Sequence, residues 1–201
     1  MKELNNNTKN YYDDLYGYLQ RFVKISHPDF NQLLPWFEVR AFNKKTVILQ
    51  QGETDNYLSM VVKGLVRKYI RSSRGEVTLQ LATEGHIIQS EISFHHRIPS
   101  PVALETIESS VLVSMKYEHV QHALENIPGA EPLGREMVMQ MFIKKDNRYF
   151  EHLRMTTRQR FLDYMQNHPH MLQRVPQKVL ASYLNIKPET FSRLKHLVKA
   201  K

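Results

Sequence analysis

The sequence predicts an α+β fold: an antiparallel β sandwich or barrel in the middle of the chain, with helices before and after it. Three observations predict it. Between Val39 and Met115, short β-rich runs alternate with turn signals. Within that stretch four of the seven glycines, Gly52, Gly64, Gly75 and Gly85, recur at intervals of 10 to 12 residues, the rhythm of strands joined by tight turns. On either side the apolar residues change to helical spacing.

The first ten residues are polar, with three asparagines in a row, and read as frayed. Over 11–25, Leu15, Tyr18, Leu19, Phe22 and Val23 recur at helical spacing. His27-Pro28 should end that helix, because the residue before a proline is pushed out of the helical region. A short helix over 30–36 follows. Strands are expected at 46–49, 58–62, 65–70, 77–81, 103–107 and 111–115, and each of the four glycines should supply a positive φ in a turn. A short helix over 117–127 stops near Pro128-Gly129. Pro132 suits the first turn of a longer helix. That helix carries Leu133, Met137, Val138, Met141 and Phe142, then the polar stretch 144–148, then Tyr149, Phe150 and Leu153. A further helix over 157–166 is stopped by His168-Pro169.

Composition narrows the function classes. A chain of 201 residues makes one large domain or two small ones. With 41% hydrophobic residues it can bury a core. No run of eighteen apolar residues crosses a membrane, and the polar start Met1-Lys2-Glu3-Leu4-Asn5 is no signal peptide. There is no cysteine. Disulfides, Cys-ligated zinc, iron–sulfur clusters and Cys nucleophiles are therefore excluded. A cytoplasmic location fits these features. The formal charge is +8, and residues 151–201 hold ten Lys and Arg against three acidic residues. The excess positive charge thus sits in the last quarter, where it would attract a polyanion.

That quarter contains a helix-turn-helix pattern over 175–197. Pro176 fits the first turn of one helix, whose Leu180 and Leu184 share a face. Ala181 is small where a crossing helix needs room. Asn185 tolerates the left-handed turn. Pro188 opens a second helix, Glu189 suits its first turn, and Phe191 and Leu194 point to the core. Lys187 stands at the N-cap, where Ser, Thr or Asp would stabilise by about 1 kcal/mol. Glu189 and Arg193, four apart, project together. Arginine can pair with guanine and a carboxylate can accept from cytosine; Arg174, Lys187, Lys195 and Lys199 are placed for phosphates. A surface Glu–Arg pair worth about 0.3 kcal/mol would use the same residues.

In this order the parts resemble the cyclic-AMP receptor protein/FNR family of bacterial regulators. The N-terminal segments are Lys45-Thr46-Val47-Ile48-Leu49-Gln50-Gln51-Gly52-Glu53, Leu58-Ser59-Met60-Val61-Val62-Lys63-Gly64 and Arg74-Gly75-Glu76; Glu189-Thr190-Phe191-Ser192-Arg193 is similar to the family's recognition helix. The resemblance covers about residues 30–198. It implies an antiparallel β-roll (double-stranded β-helix-like) with helices over 1–128, a long dimerisation helix over 129–154 and a winged helix-turn-helix over 155–201. It also implies a homodimer on a double-stranded DNA operator, with base contacts from Glu189, Ser192 and Arg193, and leaves RNA polymerase open as a further partner. The effector pocket departs from the family. Where cyclic-AMP-binding members carry an Arg-Ser pair, this chain has Ser100-Pro101; the Glu position falls at Ser90, or at Glu91 with a one-residue shift, and Arg97 stands three residues out of register. A buried phosphate needs a bidentate Arg or a nest of backbone donors. Little or no cyclic-AMP affinity is expected, and no cofactor.

Other chemistry is weakly represented. His95-His96 with His86, His119 or His122 could ligate a metal in a cupin-like barrel. Adjacent strand residues face opposite ways, however, so no metal site is expected. No Walker, nucleophile-elbow or paired-carboxylate signature stands out, and Met137, Met139 and Met141 read as core. The expectation is a regulator and not an enzyme. The alternatives are a cupin-like small-molecule- or metal-dependent enzyme with a basic tail, and a ligand-free roll used for assembly.

Overall fold

Each β-rich run must bury one face, and two facing antiparallel sheets accomplish that. The computed structural model describes residues 6–73 and 75–197. Its strands are β1 (Phe37–Phe42), β2 (Val47–Leu49), β3 (Tyr57–Lys63), β4 (Val66–Ser72), β5 (Gly75–Ala82), β6 (Ile87–Ile88), β7 (Ala103–Thr106) and β8 (Ser110–Lys116). They form two four-stranded sheets, ordered β1-β8-β3-β6 and β2-β7-β4-β5. Apart from the β4–β5 hairpin, every connection crosses between the sheets, which winds the chain as a roll. The first and last strands pair, with Phe37 opposite Met115. Leu49, Val61, Val66, Ala82, Ile88, Leu104 and Leu112 fill the interior.

All four glycines have positive φ. Gly64 is the most demanding, because a Cβ there would lie 2.6 Å from the Ser109 carbonyl. Within the roll, two strands and a helix lie outside the sequence expectation. β1 is only half-buried along its length, so its alternation is faint. β6 has two residues, too few for any periodicity. α3 (Glu91–His96) is a short helix of six residues inside the segment that departs from the family pattern.

The N-terminal helices differ from expectation at both ends. α1 (Asn6–Leu19) begins inside the stretch read as frayed and stops well before residue 25. His27-Pro28 does not end it. Those residues open α2 (His27–Leu33), where Pro28 sits in the first turn and the Ser26 hydroxyl accepts from the Asp29 N–H at 3.2 Å. A first-turn N–H has no helical partner, so its loss to proline costs little. With a 3₁₀ turn through Trp36, α4 (Tyr117–Asn126) and the start of α5 (Ala130–Arg154), these helices bury Leu15, Leu19, Phe30, Leu33 and Leu133 against Met60, Val62, Val113 and Met115.

Four short helices follow: α6 (Thr157–Asn167), α7 (Met171–Arg174), α8 (Gln177–Tyr183) and α9 (Pro188–Leu194). A capping box between Thr156 and Gln159 starts α6. Phe161, Met165, Leu180, Ala181, Ile186 and Phe191 share one core with Leu65, Leu81 and Ile107 of the roll. No strand follows β8 among the described residues. The expected wing is therefore not found there.

Candidate nucleic-acid interface

Burial fixes which way the α8–α9 pair faces. Leu180, Ala181 and Phe191 are fully buried, and Phe191 meets Phe161 edge to face, with ring centroids 5.1 Å apart at 89°. Asn185 takes φ 52°. Its N–H donates to the Ser182 carbonyl at 3.1 Å, and the Ile186 N–H donates to that of Ala181 at 2.9 Å. These bonds satisfy carbonyls that a helix C-terminus leaves free. Lys187 is the N-cap of α9 and its side chain makes no cap bond. With Phe191 turned inward, Glu189, Ser192 and Arg193 emerge on the exposed face of α9. Arg193 lies 3.4 Å from the Thr190 hydroxyl, and among the described residues no ion pair joins it to Glu189.

The cations expected on phosphates are divided. Lys187 is exposed and Lys195 partly so; Lys199 lies outside the described residues. Arg174 is engaged elsewhere. Its guanidinium binds both oxygens of Glu84 at 2.9 and 3.0 Å, the Glu108 carboxylate, and the Gly64 carbonyl at 3.1 Å. Burial would raise the Glu84 carboxyl, but the Arg174 hydrogen bonds, the N–H groups of Glu84 and Gly64 and the Arg174 charge together hold its pKa below the ordinary value. Two carboxylates, from the β5–β6 and β7–β8 turns, already neutralise this arginine. The phosphate role read from the sequence does not suit it in this arrangement.

The helix pair also rests on the roll through α8. The Ser182 hydroxyl accepts from the Thr78 N–H at 2.9 Å. Arg148 of α5 donates to the carbonyl of Leu79 on β5 and, at 2.6 Å, to that of Tyr183 at the end of α8. Its guanidinium stacks 3.8 Å from the centroid of the Tyr183 ring. The sequence reading missed Arg148, whose position inside a polar helical stretch marks it only as surface.

A cavity of about 370 Å³ opens between the roll, α3 and α5. Ser90 and Glu91, two of the expected effector residues, line it; Arg97 and Ser100 do not. Arg97 turns away to the Asp55 carbonyl at 2.7 Å and stacks on Tyr117. Ser100 is buried, its hydroxyl donating to the Val102 carbonyl at 2.7 Å and sharing a hydrogen bond with Ser90 Oγ at 2.8 Å. These two residues therefore do not form the phosphate cradle that their sequence position suggested. In its place stands an ion pair. Lys68, almost fully buried, donates to Glu91 at 2.8 and 2.9 Å and to the Gln89 carbonyl at 3.0 Å, and Lys145 of α5 reaches Glu91 at 3.0 Å. Burial pushes the Lys68 ammonium below its ordinary pKa, further than Glu91 raises it. Burial would raise Glu91, yet the charge and hydrogen bonds of Lys68, the backbone N–H of Glu91 and the Lys145 charge together lower it.

The histidines take separate places. His95 and His96 lie on helix α3 rather than on a strand, so the alternation argument does not apply to them. His119 and His122 pack on Trp36. Among the described residues no group of three His, Asp or Glu side chains could hold a metal. Among the same residues, no helix is long and apolar enough to cross a membrane.

Residues 39–126 match the family of the cyclic nucleotide-binding domain. FixK2 from Bradyrhizobium japonicum superimposes with a TM-score of 0.68 at 18% identity, covering 81% of this chain and 84% of that one. CLP from Xanthomonas campestris, a c-di-GMP-responsive global regulator, superimposes with a TM-score of 0.66 at 16% identity, covering 87% and 92%. A regulator of the crp/fnr family from Eubacterium rectale gives 0.67 at 14% identity, covering 91% and 88%. No curated protein matches the chain in sequence. The β-roll thus matches the cyclic nucleotide-binding domain, and the chain that carries it has the fold of the cyclic-AMP receptor protein/FNR regulators.

Proposed function

We propose that this protein is a cytoplasmic, dimeric transcription regulator, not an enzyme, that reads double-stranded DNA with the α8–α9 pair as a helix-turn-helix. One observation carries the reading: α9 buries Phe191 completely while Glu189, Ser192 and Arg193 stay exposed on its opposite face. An acid, a hydroxyl and a guanidinium on one rigid helical face suit hydrogen bonding to base edges in a major groove. Lys187, Lys195 and Lys199 supply phosphate contacts, which position but do not specify.

The stretch of α5 from Val138 to Leu153 supplies the dimer surface. Val138, Met139, Phe142, Tyr149, Phe150 and Leu153 are large, apolar and exposed. Met139, Phe142, Tyr149 and Leu153 fall on the seam positions of a coiled coil, with Asp146 at the position between Phe142 and Tyr149. A two-fold axis along that seam would bury it and set two copies of α9 about 34 Å apart, one helical turn of DNA. Met139, read from the sequence as core, belongs to this exposed face. Any partner contact with RNA polymerase would use other surfaces.

The cavity beside α5 is the effector site in this reading. Cyclic AMP fits it poorly, because Pro101 carries no N–H, Ser100 is spent on Ser90 and Val102, and Glu91 is held by two lysines. Selection of bound sequences from randomised duplexes tests the central claim. A pseudo-palindromic motif is the expected outcome. Binding that stays non-specific at every salt concentration would overturn it.

A further inference from the structure

The cavity between the roll and α5 has unbalanced charge. Lys68, Lys144, Lys145 and Arg148 line it, against the single carboxylate of Glu91. Lys68 and Lys145 share that carboxylate. Among the described residues, Lys144 and Arg148 have no carboxylate within ion-pair distance. Much of the remaining wall is apolar, including Leu79, Ile87, Ile92, Val102 and Met141. Its volume of about 370 Å³ would hold about a dozen waters, or an organic ligand of similar bulk. Cationic donors on one side and apolar walls on the other select an organic anion with an apolar body.

Arg148 gives the cavity a route to the DNA-reading helices. It lines this cavity and also a second, smaller one of about 240 Å³ between β5, α6 and α8. At that junction it holds two neutral carbonyls, Leu79 on the roll and Tyr183 on α8. A hydrogen bond from a guanidinium to an anion is stronger than one to a neutral carbonyl. An anion within reach therefore competes for the same donors.

Resting on the reading of this cavity as the effector site, we propose that an organic anion with an apolar body binds there and draws Arg148 away from Tyr183, loosening α8 from β5. Arg148 is thus a positioning residue through which occupancy of the cavity reaches the α8–α9 pair. The docked state retains a second attachment, Arg174 on Glu84 and Glu108, which lines neither cavity. Coupling is reciprocal: weakening that attachment should tighten binding of the anion, although no contact to it changes.

The test uses the full chain without DNA, so it is independent of operator binding. Naphthalene-2-sulfonate is the probe, inorganic phosphate the comparison, and the readouts are calorimetric affinity and amide exchange over residues 177–186. In the wild type, saturating probe should speed exchange there by about five-fold or more. Lys144→Gln should weaken the probe, Arg148→Gln should abolish the exchange response, and Arg174→Gln should tighten the probe by a similar factor. Binding that Lys144→Gln weakens, with no exchange response, overturns the coupling and leaves the cavity reading intact. Absence of any binding sensitive to Lys144→Gln overturns both. An equal response to inorganic phosphate overturns the need for an apolar body.

Discussion

Arg174 on α7 and Glu84 in the β5–β6 turn form a two-point ion pair, 3.0 and 2.9 Å long, between residues 90 apart in sequence. With Glu108 added, one guanidinium joins the end of the roll to the helices that carry α9. Each of these side chains is partly exposed, so water and salt weaken the network. Its geometry still fixes where α7 lies. Arg174→Gln should therefore raise amide exchange in α7 and α8, yet leave the salt dependence of non-specific DNA binding unchanged. Lys187→Gln should do the reverse, lowering the slope of log affinity against log salt by about 1. A lowered slope for Arg174→Gln would restore it to the phosphate contacts.

Arg193 and Glu189 are expected to specify bases. Arg193→Ala should cost about 1–3 kcal/mol on the selected operator and relax the preference at one base position. Glu189→Ala should relax a different position. The check is competition among operators substituted singly. Uniform weakening across all sequences would assign Arg193 to phosphate instead.

Phe191 holds α9 to its neighbours, and its ring is wholly enclosed. Phe191→Ala should destabilise by about 3–5 kcal/mol, since the Phe161 contact is lost and a cavity is left. Urea unfolding measures the loss. Because Leu65, Leu81 and Ile107 belong to the same core, the transition of the roll should shift with it. Two well-separated transitions would show that the shared core contributes little.

The exposed seam of α5 predicts a dimer that a charge can break. Phe142→Glu or Leu153→Glu places a carboxylate where an apolar partner face is expected. Sedimentation should show a dimer for the wild type and a monomer for each variant. A wild-type chain that stays monomeric at high concentration would show that the seam does not pair.

His86 gives stability a dependence on pH near neutrality. Burial and then the charge of Lys144 lower its pKa from 6.5, and the Thr83 carbonyl opposes them. The folded value lies below the unfolded one, so the folded state favours the neutral imidazole. Stability from this group is complete above pH 6.5 and falls as pH drops from there through the folded value. His168 is shifted in the same direction by burial and adds to the slope. His86→Gln should flatten the difference in urea midpoint between pH 7.5 and 5.5, and leave the share due to His168.

The features legible in the order of residues are local ones. The glycine rhythm marks turns because a positive φ belongs to the residue itself. Pro188, Asn185 and the Leu180–Phe191 wedge mark the helix pair because caps and helical faces depend on neighbours within a few positions. Glu189, Ser192 and Arg193 follow from that wedge, since burying Phe191 exposes them. Features that depend on distant chain emerge only once the fold brings partners together. Arg174 reads as a free cation until Glu84 and Glu108 are brought to it. Arg97 and Ser100 read as pocket residues until Asp55 and Ser90 claim them. Arg148 reads as surface until β5 and α8 close around it. An ion pair or a buried donor depends on which partner arrives in space, and the partners of Arg174, 66 to 110 residues away, leave no trace in the local pattern.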